Sequence, residues 1–403
     1  MKVLHINKFF DLKGGAEIYM HNLMRRQAEA GLETHVFSTR SPSNLPSRDA
    51  STFVTRYNLS ISESPLTDLK KAANFLWNRE AKTALAKVLR DLKPDAIHLH
   101  NIYHHLSTSI LAPIRESKIP CVQTLHDLKL ACPNYRMYTE GALCERCKGG
   151  RYFEAVKHRC LFPGFVPNAL AAMEMGFTKA VQAYERTVKT FICPSQFIAD
   201  KMVEWGEPAP KFRMVRSPVE IKDRARRDGG YVLAVGRLSP EKGYEELIRA
   251  AALVPSLCIK IAGTGPLEDR LRSLIRANKS NIELVGFKRG EELAELYRHA
   301  EAFVACPVGY ENAPLTVLDA LGVGLPILAS RIGGLPEMVE DGRNGYLVEH
   351  GSVDAWAGAL KEFSELPQSA KDDMAEASIE LARRKFPDWP QHLEMIRECY
   401  EIS

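Results

Sequence analysis

Strands and helices alternate along this chain in two successive series, and no other feature of the sequence restricts the fold as sharply. The first series opens with the strand "KVLHIN" and the amphipathic helix "GGAEIYMHNLMRRQAEAG", which Gly31 stops. It continues through "THVFS", a long basic helix over about 67–92, "DAIHLH" and "PCVQTLH". After an unusual insert and a long helix come "TFICPS" and "FRMVRS". The second series restarts with "YVLAVG" and runs through "CIKIAG", "IELVGF", "AFVACP", "PILAS" and "NGYLV". Such alternation predicts an α/β fold with a mostly parallel, doubly wound sheet, here built twice. The join, "SPVEIKDRARRDGG" at 217–230, is rich in charge and glycine and reads as a flexible linker. The expected organisation is a first domain over 1–216 with an insert at 129–165, the linker, and a second domain over 231–380. A tail helix over 381–403 is expected to return to the first domain.

With 45% hydrophobic and 26% charged residues, the chain has the composition of a globular protein. Its longest uncharged run, Ala96 to Ile114, holds four histidines, so no transmembrane helix is expected. "MKVLHIN" reads directly as a strand rather than a secretory leader, and nine cysteines, an odd number, point to a reducing cytosol. Charge is unevenly divided. Residues 1–229 carry 35 Lys+Arg against 23 Asp+Glu (+12), and residues 230–403 carry 19 against 27 (−8). A basic half suits nucleic acid, an anionic membrane or an anionic substrate. No nucleic-acid module is present and aromatics are not interleaved with the cations, which excludes nucleic acid. The helix bearing Lys70, Lys71, Arg79, Lys82, Lys87 and Arg90 is instead expected to dock on anionic membrane.

In an open α/β sheet, ligands sit beyond the carboxyl ends of the strands. Four motifs fall there. In "VGRLSPEKG", Ser239 can cap a helix entered by Pro240, and Arg237 and Lys242 flank its N-terminus, a place for a diphosphate. "IAGTGPLEDRL" offers Gly263 and Gly265 between strand and helix. A dinucleotide fingerprint would need a third glycine where Glu268 stands, so an oxidoreductase is a distant alternative. "KGGAE" places Gly14 and Gly15 after the first strand, where they make a turn or let a ligand approach the backbone. "YENAPLTVLDALGVGLP" sets Glu311 before Pro314 and Asp319 five residues beyond it, two acids in an apolar stretch that call for a partner or a ligand.

Two further clusters invite metal. Cys132, Cys144, Cys147 and Cys160 have the count of a structural Cys₄ zinc site in an insert too polar to form its own core; unliganded thiols or a disulfide are the alternatives. His98, His100, His104 and His105 could ligate a metal but read better as a mixture of core and rim histidines. His126 ends an apolar strand, precedes Asp127, and is expected to point into the cleft.

Taken in order, "GGAE", "VGRLSPEKG", "IAGTGPLEDRL", "ENAPLTVLDALGVGLPILAS" and "GGLPEMVEDGRNGYLV" make the chain resemble the GT-B glycosyltransferases of family 4, over nearly its whole length. The resemblance implies two Rossmann-like domains facing across a cleft, and a retaining enzyme needing no cofactor for its chemistry. The first domain would bind a glycan or lipid-linked acceptor and the second a nucleotide diphosphate-sugar. It implies that Arg237 and Lys242, beside Gly236, neutralise the leaving diphosphate and that Glu311 binds donor-sugar hydroxyls. Ala313, Pro314, Leu315 and Thr316 would offer amides to sugar or phosphate. His126 would face the reacting sugar, Gly14 and Gly15 would pass the phosphates, and Val285 and Phe287 would seat the base. Asp319 stands where the family has a glutamate on the ribose. A non-catalytic nucleotide-sugar-binding protein of the same shape would be expected to lose Glu311, Arg237 or Lys242, and all three are present. The setting implied is polysaccharide biosynthesis in the cytoplasm, peripheral at the inner face of the membrane.

Overall fold

A computed structural model describes residues 1–59 and 63–401. In the first half the strands are β1 (Lys2–Ile6), β2 (Glu33–Phe37), β3 (Ala96–Leu99) and β4 (Cys121–Thr124). A two-stranded hairpin, β5 (Tyr138–Thr139) and β6 (Ala142–Leu143), lies in the insert, and β7 (Thr190–Cys193) and β8 (Phe212–Met214) follow. All six long-range strands pair in parallel in the order β2-β1-β3-β4-β7-β8. The second half contributes β9 (Tyr231–Val235), β10 (Cys258–Ala262), β11 (Ile282–Gly286), β12 (Ala302–Ala305), β13 (Ile327–Ser330) and β14 (Gly345–Val348). Their order, β11-β10-β9-β12-β13-β14, is again wholly parallel. Strands buried on both faces read as unbroken apolar runs, as "YVLAV" does. Each sheet reverses its winding once, between β1 and β3 in the first and between β9 and β12 in the second. These two reversals put the crevices face to face in the GT-B arrangement.

Helices cover both faces. In the first half they are α1 (Gly15–Glu29), α2 (Pro65–Leu76), α3 (Arg79–Leu92), α4 (Leu111–Ser117), α5 (Phe153–Lys157), α6 (Phe165–Ala180) and α7 (Gln196–Glu204). The expected single helix over 67–92 is therefore two. The chain breaks at Trp77–Asn78, where the Asn78 side chain accepts from Ala81 N and donates to the His105 carbonyl, starting α3 afresh. The basic face breaks with it: Lys71 is buried against Glu63 at 2.7 Å and Lys87 pairs with Asp91 at 2.6 Å.

In the second half α8 (Tyr244–Ala251), α9 (Glu268–Asn278), α10 (Gly290–His299), α11 (Leu315–Gly322), α12 (Val353–Glu365) and α13 (Gln368–Lys385) surround a core holding the fully buried Trp356, Phe303 and Phe363. The last helix, α14 (Trp389–Glu401), crosses back to the first sheet, where Tyr19 donates to His392 Nε2 at 2.8 Å and Tyr400 meets His98 Nδ1 at 2.8 Å. Ile402 and Ser403 of the expected tail lie outside the described residues. The segment 217–230 is not the flexible tether its composition suggests. Backbone bonds tie Lys222 N to Gly322 O, Ala225 N to Val323 O and Gly229 N to His299 O, and Arg224 and Arg227 pair with Glu376 and Asp372 of α13.

Candidate active site

The loops after β9 and β12 flank the winding reversal of the second sheet, and their side chains meet. Lys242 Nζ donates to Glu311 Oε1 at 2.5 Å, with 27% and 19% of the two side chains exposed. Burial alone would lower the Lys242 ammonium, but the adjacent Glu311 carboxylate outweighs it and holds the pKa above its ordinary value. Arg237 is exposed on the same loop and has no ion pair among the described residues. The turn differs from the expected capped helix. Pro240–Lys242 is one short 3₁₀ turn, the Ser239 hydroxyl bonds Glu241 at 2.8 Å instead of capping, and α8 begins only after Gly243. Gly243 has φ +70°, and a Cβ there would meet the Cys306 carbonyl at 1.9 Å.

The other predicted donor residues assemble around this pair. Gly236, Gly263 and Gly265 interlock, since a Cβ on Gly263 would lie 1.9 Å from the Gly236 oxygen and one on Gly265 2.3 Å from the Leu238 oxygen. Val285 and Phe287 close β11, with the Phe287 ring 56% exposed. Ala313, Pro314, Leu315 and Thr316 form the entry to α11, where Thr316 O accepts from Tyr297. Asp319 lies one turn further on. Protein around it raises its pKa by burial, against the pull of Lys222 at 3.6 Å, yet its side chain is 48% exposed. It occupies a recess open to water on one side, and its linker partner has no signal in the sequence.

The first domain supplies the opposite wall. Gly14 caps α1 and Gly15 opens it with free space over its Cα, while Glu17 turns inward to accept from Asn7 at 3.1 Å. His126 is half-buried. Its Nε2 is turned back to His100 Nδ1 at 2.9 Å, and His100 Nε2 meets His5 Nδ1 at 3.2 Å, which in turn meets Gln27 at 2.8 Å. Only His126 Nδ1 is left without a hydrogen bond among the described residues. Burial keeps His126 neutral down to about 3 and His5 down to about 4. His5, His98 and His100 lie close enough to hold a metal, but all six ring nitrogens are already bonded, His98 to Tyr400 and Thr124. They belong to the core, His105 to the rim. Beneath His126, Tyr103 donates to Asp127, and Lys8 stands 3.4 Å above the Tyr103 ring, its ammonium pushed down to about 8 by burial.

The two walls are joined. Asn312 Nδ2 donates to the Leu125 carbonyl at 2.8 Å and its Oδ1 accepts from Ser195 at 2.5 Å, which brings Glu311 and His126 to facing sides. Glu337 reaches over to accept from Gln196 N at 3.0 Å and Phe197 N at 2.9 Å, capping α7 of the other domain. Gly333 (φ +61°) and Gly334 let this loop press on Glu311 and Asn312, whose oxygens a Cβ would meet at 2.2 and 1.9 Å. Sequence reasoning missed Asn312, Glu337 and this glycine pair, whose only signal was "GGLPE" lying after a strand end.

In the insert, Cys132 and Cys147 are buried, Cys144 and Cys160 half-buried, and none is in a disulfide. Burial pushes Cys132 up to about 11 and Cys147 up to about 12, and each of the other three thiols adds to the Cys147 shift. The four therefore share one field, and thiolates that repel one another are what a cation relieves. They are not at ligand spacing: among the described residues the one set of three or more candidate ligand atoms within 4.8 Å is the histidine set.

The chain belongs to glycosyltransferase family 4. The family model described as Glycosyltransferase Family 4 matches residues 13–223, and that described as Glycosyl transferases group 1 matches 219–381. It is 30% identical over 182 residues to the amylovoran biosynthesis glycosyltransferase of Erwinia amylovora, covering 41% of this chain and 45% of that one. It is 27% identical over 394 residues to the D-inositol 3-phosphate glycosyltransferase of Rhodococcus erythropolis, covering 90% and 81%. The chain spans about half the length of the first curated relatives it matches. Its fold is shared with Anabaena HepE in complex with UDP and glucose, with a TM-score of 0.69 at 17% identity over 100% of this chain and 99% of that one.

Proposed function

We infer that this protein is a retaining glycosyltransferase that moves a sugar from a UDP- or GDP-linked donor to a glycan or lipid-linked acceptor in cell-surface polysaccharide biosynthesis. The observation that carries the reading is the Lys242–Glu311 pair at the winding reversal of the second sheet, set across from His126 by the Asn312–Leu125 bond. The activity of the amylovoran relative and the UDP and glucose held by the HepE structure support it.

In this reading the donor diphosphate takes Lys242 and Arg237 as counter-charges, which frees Glu311 to accept from donor-sugar hydroxyls. The bond from the anomeric carbon to phosphate oxygen breaks while the acceptor oxygen bonds that carbon on the same face. The acceptor proton passes to the departing diphosphate. Zinc would order the four-cysteine insert, outside the chemistry, by drawing its thiols in to ligand spacing, and the acceptor arrives at the anionic cytoplasmic surface of a membrane. No helix among the described residues is long and apolar enough to cross one. Calorimetric titration with a panel of UDP- and GDP-sugars, followed by NMR of the glycoside formed, tests the reading. It expects one donor to bind and the anomeric configuration to be kept; no bound donor, or an inverted product, overturns it.

A further inference from the structure

Nine of the sixteen large apolar side chains exposed among the described residues fall in two short stretches, 66–77 and 153–181. They belong to α2, α5 and α6, which pack side by side on the outside of the first domain. On α2, Leu66 is 82% and Leu69 68% exposed; on α6, Val166 is 61%, Met173 60% and Phe177 52% exposed. Val166, Met173, Phe177 and the capping Val181 follow the helical repeat and form one outward stripe. The stripes are continuous, because Trp77 at the end of α2 meets Phe177 edge-on at 6.5 Å. A monomer rarely leaves apolar surface of this extent contiguous unless something covers it.

The surroundings name the cover. Lys70 and Arg79 are exposed at the edge of α2 and α3, and Lys82 Nζ stands 5.5 Å from the Trp77 ring. Lys157 and Arg159 extend the cationic rim beside α5. None of these five has an ion pair among the described residues. The only acid on α6, Glu174, is turned inward and buried against Lys129 at 2.6 Å. An apolar stripe with an aromatic edge and a cationic rim, lying along two adjacent helices, is the pattern of an element seated in the headgroup region of an anionic bilayer. The acids nearest the rim are taken up locally, Glu63 and Asp68 by Lys71 and Glu154 by His158, so the charges it offers outward are positive.

We propose that the α2–α6 face is the surface by which this protein sits on anionic membrane, with Leu66, Leu69, Trp77, Met173 and Phe177 entering the interface. This deepens the glycosyltransferase reading and rests on it. The opposite side of α6 explains the use: Lys129, held by Glu174, sends its backbone N–H to Asp127 at 3.0 Å, immediately beside His126. The bilayer surface then lies about one helix diameter, ~10 Å, from the cleft wall. A lipid-borne acceptor need leave the membrane by only a sugar or two.

The test is co-sedimentation of the full chain with vesicles of phosphatidylcholine alone or with 30 mol% phosphatidylglycerol, at low salt. Met173→Glu/Phe177→Glu and Lys70→Gln/Lys82→Gln are compared with the unaltered protein, and calorimetric titration with the donor found above reports on fold and cleft. Binding that requires the anionic lipid is expected. The apolar pair should abolish it and the lysine pair should weaken it roughly thirtyfold, near fivefold for each charge removed, with donor affinity unchanged in both. No binding to anionic vesicles, equal binding by the variants, or a patch that proves in sedimentation equilibrium to join two copies of the chain overturns the proposal. Loss of donor binding in the unaltered protein would instead overturn the glycosyltransferase reading itself.

Discussion

His100 Nδ1 lies 2.9 Å from His126 Nε2, so the imidazole that faces the cleft is held by one that never meets solvent. Folding keeps His5, His126 and His392 neutral to about 4, 3 and 4, whereas the unfolded chain protonates near 6.5. Between those values the unfolded state binds more protons, so stability rises with pH and is lost on acidification from about 6.5 downward. Above pH 7 these groups contribute no slope. Each histidine that stays neutral costs about 1.4 kcal/mol per pH unit in that window. Urea unfolding at pH 7, 6 and 5 should show a steadily falling midpoint, and His5→Gln should flatten the fall. A midpoint constant over this range refutes the assignment.

Glu311→Gln should lower kcat roughly 10²-fold with little change in nucleotide affinity, because a contact to the sugar matters most as charge develops at its anomeric carbon. The structure adds a second effect. Without the carboxylate at 2.5 Å, burial acts on Lys242 against only the weaker pull of groups such as Glu241, and its pKa falls. The pH–rate profile of the variant should therefore lose activity at lower pH on its alkaline side than the parent does. An unshifted alkaline limb would show that the ion pair does not govern Lys242.

Asp319→Ala should weaken UDP or GDP binding by about 1.5–3 kcal/mol, the worth of a charge-assisted hydrogen bond. Saturating kcat should stay close to the parent value, since a contact equal in ground and transition states appears in KM. Lys222, its partner at 3.6 Å, provides the control: Lys222→Ala spares the carboxylate and should leave most of the affinity. If both alanine variants bind nucleotide like the parent, Asp319 is only a linker contact.

Protein purified without chelator should carry one zinc per chain, and removing it should lower the melting temperature while the donor still binds. Cys144→Ser and Cys147→Ser should each lose the metal. Plasma mass spectrometry returning well under one zinc would leave four buried thiols and no metal site.

The strands were legible because parallel strands buried on both faces demand apolar runs, and "YVLAV" or "AFVA" fit nothing else between turn residues. The loops at their carboxyl ends were legible for the same reason, and Lys242 and Glu311 with them. The break at Trp77–Asn78 was not. Apolar periodicity runs through it, and what stops α2 is a set of bonds from Asn78 to residues about 30 positions away. The histidine ladder was half visible: His98 and His100 share a strand face, but His5, 95 residues from its partner, joins only once β1 and β3 pair. Glu337 was invisible as a latch, because its acceptors are two amides of the other domain.

The passage of α14 back to the first sheet has a consequence for how this protein is made. Tyr400 accepts from Gln27 Nε2 and bonds His98 Nδ1, and His392 receives Tyr19, so the interior under β1 and β3 is closed by side chains 373 and 302 residues downstream. The first 216 residues emerge from the ribosome with that side of their sheet uncovered and with His98, Tyr19 and Gln27 each lacking a partner. They wait through synthesis of the entire second domain for the helix that completes them. A nonsense mutation near residue 389 would strike the opposite end of the molecule from where it falls in the gene.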